Sequence, residues 1–167
     1  MSERLTVSTP EAMERLGATL ATQVRAGDVI VLTGELGAGK TTLTRGLGAA
    51  LGVRGTVTSP TFVLARTHPR EGAAPLVHVD AYRLRDALEL DDLDLDFAGS
   101  ITVVEWGAGL IDHLVDEWLA ITIERPTGAS SGATDDADAG AVEPRIVHVD
   151  GVGDRWADLG WLHVAGD

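Results

Sequence analysis

Cysteine is absent from this 167-residue chain, and a single lysine, Lys40, stands among its thirteen basic residues. The first absence excludes a disulfide framework. No apolar run approaches the roughly 18 residues that a membrane span requires, and the opening "MSERLTVSTPEAMERL" has no apolar signal region after its basic residue. A cytoplasmic chain without membrane contact is the expectation. Basic residues are also scarce beside the acids, 13 against 26, for a net charge of −13. Tight direct binding of nucleic acid or anionic lipid draws on clustered Lys and Arg that release counterions. Any nucleic acid in this protein's biology is therefore expected to sit on a partner.

A length of 167 residues and a hydrophobic content of 44% suit one domain with one core, residues 1–167. Short apolar runs alternate with amphipathic stretches, which predicts an α/β sheet with crossover helices. "RLTVS", "DVIVLTG", "LVHVD", "ITVVEW", "WLAITIE" and "RIVHVDG" read as strands. Thr9 and Pro10 form an N-cap and first helical position, with Met13, Leu16, Leu20 and Val24 on one face. A second helix is expected from about Lys40 to Leu51. Gly153 to Val164 suits either a closing helix or an irregular tail. One stretch, "PTGASSGATDDADAGAVEP" from Pro126 to Pro144, has no large apolar residue beyond Val142. Such a composition cannot offset the entropy of ordering, so a flexible acidic insert is expected there.

The isolated lysine lies in "GELGAGKTT", Gly34 to Thr42, which fits the P-loop pattern in full. It falls between an apolar strand and an amphipathic helix, where that motif belongs. Glycines at 34, 37 and 39 let backbone N–H groups turn around phosphate oxygens, and the helix N-terminus adds partial positive charge. Gly37, Ala38, Gly39, Lys40, Thr41 and Thr42 are accordingly the candidate nucleotide-binding residues. An ammonium on a thin stem reaches β- and γ-phosphates in a closed loop where a planar guanidinium is too broad. A dinucleotide fingerprint fits less well, because Thr42 occupies its third glycine position. The base-reading N-K-x-D motif of G proteins is missing, which favours ATP.

A P-loop protein also needs oxygen ligands for Mg²⁺ and a group to position the nucleophile. Thr41 supplies a hydroxyl. Asp80 and Glu105 stand at the carboxyl ends of two apolar strands, and in a parallel sheet those ends open on the P-loop side. Either carboxylate could hold the metal, directly or through water; Lys40, Asp80 and Glu105 are the catalytic candidates. His78 should point the same way as Asp80 by strand alternation, as a packed, hydrogen-bonded side chain.

"GELGAGKTT", "SPTF" (Ser59 to Phe62), "HVDAYRL" (His78 to Leu84) and "VEW" (Val104 to Trp106), in this order, resemble the TsaE (YjeE) family of small bacterial ATPases that serve tRNA threonylcarbamoyladenosine biosynthesis. The resemblance spans nearly the whole chain. It implies a P-loop α/β fold with a mainly parallel central sheet flanked by helices, and an ATPase using ATP and Mg²⁺. It implies partners as well, TsaB- and TsaD-like proteins that carry the tRNA. Thr41 and Glu105 would face Mg²⁺, Asp80 would lie near the γ-phosphate, and Ser59 to Phe62 would form a switch-like loop. The acidic insert replaces what is usually a short connection, which bears on any nucleotide contact by Arg125 or Arg145. "DALELDDLDLDF", Asp86 to Phe97, is unusually acidic and reads as a solvated helix face followed by a loop, with a dedicated docking site as the alternative that Leu84, Leu88, Leu93 and Leu95 leave room for.

Two other activities compete with partner-coupled hydrolysis. A small-molecule kinase typically carries an arginine-bearing lid, whereas the insert here has no Arg or Lys. A nucleotide-dependent switch with negligible turnover would differ in rate and not in residues.

Overall fold

The computed structural model describes residues 1–57, 64–126 and 143–163. Strand β1 (Ser2–Val7) leads into α1 (Pro10–Ala21), β2 (Val29–Gly34) and α2 (Lys40–Leu51). An antiparallel pair, β3 (Ala65–Arg70) and β4 (Ala73–Asp80), precedes a five-residue helix α3 (Ala87–Asp91). Strands β5 (Ile101–Glu105), β6 (Trp118–Glu124) and β7 (Arg145–Val152) complete a seven-stranded sheet in the order β1-β7-β6-β2-β5-β4-β3. The four central strands, β6-β2-β5-β4, run parallel, and the outer strands on both sides are antiparallel.

Alternation along β2 shows why its sequence is apolar throughout. Ile30 and Leu32 face one core with Leu43 and Leu47 of α2 and Leu16 and Leu20 of α1, while Val29 and Val31 face a second core with Leu90 and Ile111. A strand covered on both faces needs no polar side. The α1 start is capped as expected, with Thr9 Oγ1 accepting from Ala12 N at 3.0 Å and Pro10 at the first turn. That helix ends at Ala21, so Val24 lies past it and still packs on the first core. The two helices cross at glycines: a Cβ on Gly17 would sit 2.2 Å from Leu43 O, and one on Gly46 2.2 Å from Glu14 O.

Strand β3 was not among the expected strands. Its sequence, "ARTHPR", is mostly polar and contains Pro69, and the structure puts it at the sheet edge with a register shift between His68 and Arg70. An edge tolerates proline and polar faces that an interior strand does not. After β7 the chain forms two short 3₁₀ turns, Asp154–Trp156 and Gly160–His163, so the irregular alternative holds for the described part of that segment. Trp156, Leu159 and Leu162 nevertheless bury their side chains in the first core. In the acidic stretch, Asp86 caps α3 by accepting from Glu89 N, Leu90 is buried, and Leu88 projects with 72% of its surface exposed. Residues 58–63, which include the expected switch-like loop, and 127–142 of the insert lie outside the described residues. Among the described residues no helix is long and apolar enough to cross a membrane.

Candidate nucleotide site

Parallel pairing brings the carboxyl ends of β2, β5 and β4 to one edge. Leu32 pairs with Glu105, and Glu105 with Asp80, so both acids stand beside the turn that follows Gly34. The turn itself depends on left-handed backbone at Gly37 (φ 80°) and Gly39 (φ 118°), the latter being the residue before α2. A side chain at Gly39 would also press on Met13 Cε, 3.2 Å from the Cβ position.

Lys40 begins α2 and is 7% exposed. Its Nζ donates to Gly34 O and, at 3.3 Å, to Glu35 O, and it lies 4.7 Å from the centroid of the Trp106 ring. Burial pulls the ammonium below the usual lysine range, and the nearby Glu105 and Asp80 carboxylates push back in the other direction. The ring above it is held by an unusual backbone. Trp106 has φ 63°, a left-handed value that a bulky residue adopts only under constraint. Its N–H donates to Leu32 O at 2.8 Å, and Tyr82 packs edge-on against its ring at 5.4 Å.

Glu105 is buried, and His78 Nε2 lies 2.7 Å from Glu105 Oε2. A carboxylate only accepts, so Nε2 is the donor in this contact. His78 Nδ1 is buried with no hydrogen-bond partner among the described residues. His78 thus points to the face expected from its spacing to Asp80 and serves one purpose there, to hold the Glu105 side chain. Asp80 is half-buried, and its Oδ1 accepts from Tyr82 N at 3.0 Å.

These groups line one cleft of about 630 Å³, bounded by Gly37, Gly39, Lys40, Thr41 and Thr42 on the loop side and by Asp80, Tyr82, Arg83, Glu105 and Trp106 opposite. All three catalytic candidates meet there. Ala38 is the one loop candidate that turns away: its side chain is 1% exposed and belongs to the first core, leaving its backbone to the loop. Tyr82 and Trp106 were not assigned roles from sequence, although Trp106 directly follows β5 and Tyr82 lies two residues past the end of β4. The Trp106 ring reaches Lys40 through a left-handed turn at Trp106, which no residue type announces, and Tyr82 packs against that ring.

A family model described as threonylcarbamoyl adenosine biosynthesis protein TsaE matches residues 7–131. The chain belongs to the TsaE family. The tRNA threonylcarbamoyladenosine biosynthesis protein TsaE of Streptomyces coelicolor is 56% identical over 149 residues, covering 87% of this chain and 94% of that protein. The TsaE of Bacillus subtilis is 40% identical over 119 residues, 70% of this chain and 73% of that protein. The crystal structure of Bacillus subtilis YdiB superposes with a TM-score of 0.71 at 29% identity, covering 99% of this chain and 94% of the other. As a member of that family, the chain has its place in tRNA threonylcarbamoyladenosine biosynthesis. The family match takes in the loop, both strand-end acids and Trp106, and it stops short of Arg145 and β7.

Proposed function

We propose that the cleft binds ATP with Mg²⁺ and hydrolyses it, slowly in the isolated chain and faster when TsaB- and TsaD-like partners are bound. The observation that carries this reading is the buried Lys40 ammonium inside a P-loop, faced by Asp80 and Glu105. Mg²⁺ takes hard oxygen ligands, keeps several waters and uses one or two carboxylates plus phosphate oxygens. The donors around this cleft, the Thr41 hydroxyl and the Asp80 and Glu105 carboxylates, fit that demand. Thr41 and Glu105 would hold the ion, with His78 fixing the Glu105 rotamer. Bound there, Mg²⁺ would neutralise charge on the phosphates.

Lys40 exchanges the carbonyls of Gly34 and Glu35 for β- and γ-phosphate oxygens, a short movement for a flexible stem. Backbone N–H groups of Gly37, Gly39, Lys40, Thr41 and Thr42 supply the remaining donors, the Ala38 N–H being engaged by Glu35 O at 2.9 Å. Asp80, at the carboxyl end of β4, orients the attacking water. Transfer RNA stays on the partners, because the chain's net charge of −13 offers little to a polyanion of that length. Phosphate release measured for the isolated chain and with purified TsaB- and TsaD-like proteins tests the reading. Equal rates would refute partner coupling, and no MgATP-dependent release in either setting would leave a nucleotide-dependent switch.

A further inference from the structure

Arg145 opens β7 far along the chain from the P-loop, yet its side chain lies on that loop. Its Nε donates to Ala38 O at 3.1 Å and its Nη2 to Gly37 O at 3.4 Å, while Nη1 donates to Glu143 O at 2.5 Å. Neighbouring Arg125, just past β6, donates from Nη2 to Glu143 Oε2 at 3.2 Å and places Nη1 3.9 Å from the Cβ position of Gly37. Two carbonyls of consecutive loop residues are thus held by one rigid fork.

In a trans peptide the C=O and the following N–H point opposite ways. A donor that holds Ala38 O therefore sets the direction of the Gly39 N–H, and one on Gly37 O sets that of the Ala38 N–H. The latter is engaged by Glu35 O at 2.9 Å in this structure. Without such a restraint, a loop with glycines at 37 and 39 has wide backbone freedom, and ordering it around a ligand would cost entropy. Arg145 is half-buried, a partly dehydrated setting in which hydrogen bonds are stronger than in open water, and burial and the Arg125 charge both lower its guanidinium from the ordinary range.

We propose that Arg145 is a positioning residue of the phosphate site: its guanidinium fixes the peptide planes at Gly37, Ala38 and Gly39 so that the loop is shaped for a polyphosphate before one arrives. The proposal rests on the nucleotide-binding reading and adds a residue from outside the motif that does not itself touch the ligand.

The test titrates the full chain and its Arg145→Ala, Arg145→Lys and Lys40→Ala variants with MgATP and with inorganic tripolyphosphate, by calorimetry. Arg145→Ala should weaken both ligands by the same factor, about tenfold, as expected for losing a pair of hydrogen bonds that preorder a site. That factor should be unchanged between about 50 mM and about 0.5 M salt, since a positioning hydrogen bond is not screened as a remote charge is. Arg145→Lys keeps the charge without the fork and should bind both ligands more weakly than the parent; it carries the test if Arg145→Ala does not fold. Parent-like affinities in the Arg145 variants overturn the proposal. So does a loss confined to ATP, which would mean a base or ribose contact, or a loss that fades with salt, which would mean simple charge attraction. If Lys40→Ala also binds both ligands like the parent, the nucleotide reading itself falls. If Lys40→Ala alone loses them, only the role of Arg145 does.

Discussion

Replacing Lys40 by arginine keeps the formal charge and alters only the shape of the head, so it isolates what the loop demands of its cation. The parent ammonium sits within reach of two loop carbonyls and 4.7 Å from the Trp106 centroid, with 7% of the residue exposed. A forked, planar guanidinium in that space must push Trp106 or the loop, an overpacking cost of about 1–3 kcal/mol. It can avoid this by swinging into the open cleft, so the nucleotide-free variant should melt within about 2 °C of the parent. Arginine also cannot release its proton in a setting that already disfavours a charged lysine. With MgATP at about a hundred times its dissociation constant, the parent should gain about 2.7 kcal/mol. For a domain of this size that corresponds to roughly 5–10 °C in the melting midpoint. Lys40→Arg should keep less than about 2 °C of that shift and should not hydrolyse ATP in the partner complex. Differential scanning fluorimetry with and without MgATP reads the first result, and phosphate release reads the second. A parent-sized shift with parent-like hydrolysis would refute the claim that the loop needs an ammonium.

Two further substitutions separate roles the cleft brings together. Glu105→Gln should lose most of the Mg²⁺-dependent part of ATP binding, because a neutral amide does not hold a hard cation, while Asp80→Asn should spare binding and lower turnover; titrations with and without Mg²⁺ check this, and the reverse pattern would exchange the two assignments. Far from the cleft, Asp28 accepts from Arg155 Nε at 3.0 Å and from Arg155 Nη2 at 2.8 Å, and its side chain is 6% exposed. Asp28→Ala removes the charge partner of a guanidinium that keeps only its Gln23 O bond and the Trp156 ring, and should cost about 3 kcal/mol, or roughly 6–12 °C in melting midpoint, with nucleotide affinity unchanged; a loss of affinity at constant stability would show that this pair communicates with the loop.

What was legible in the sequence follows from how local each determinant is. The α2 boundaries are readable because the P-loop glycines and Lys40 fix where the helix starts and Gly52, in a left-handed C-cap, fixes where it stops. The interior strands are readable because burial on both faces leaves little room for polar residues, as "VIVL" in β2 shows. β3 was not, since an edge strand with a proline obeys none of those constraints. At the site, Asp80 and Glu105 were accessible to reasoning through strand ends in a parallel sheet, but their partners were not. His78 reaches Glu105 across a strand pair, and Arg145 reaches the loop from 107 residues after Ala38 in the chain. Such contacts are set by sheet order and register, which pattern alone does not specify.

The charge distribution connects the cleft to the proposed division of labour with partners. Lys40, Arg125 and Arg145 gather around the loop in a chain whose net charge is −13. A cation about 4 Å from a phosphate near a protein surface gains several kcal/mol, whereas exposed carboxylates more than a Debye length away, about 8 Å at physiological salt, are largely screened. A compact polyphosphate, part-neutralised by Mg²⁺, would therefore feel the loop more than the acidic surface. An RNA presents phosphates over tens of ångströms and cannot confine itself to the loop. Around α3 it would meet the carboxylates of Asp86, Glu89, Asp91 and Asp92, which outnumber the neighbouring Arg83 and Arg85. Under the proposed division of labour, the cations around the loop would take the nucleotide, and a partner would carry the basic side of any contact with tRNA.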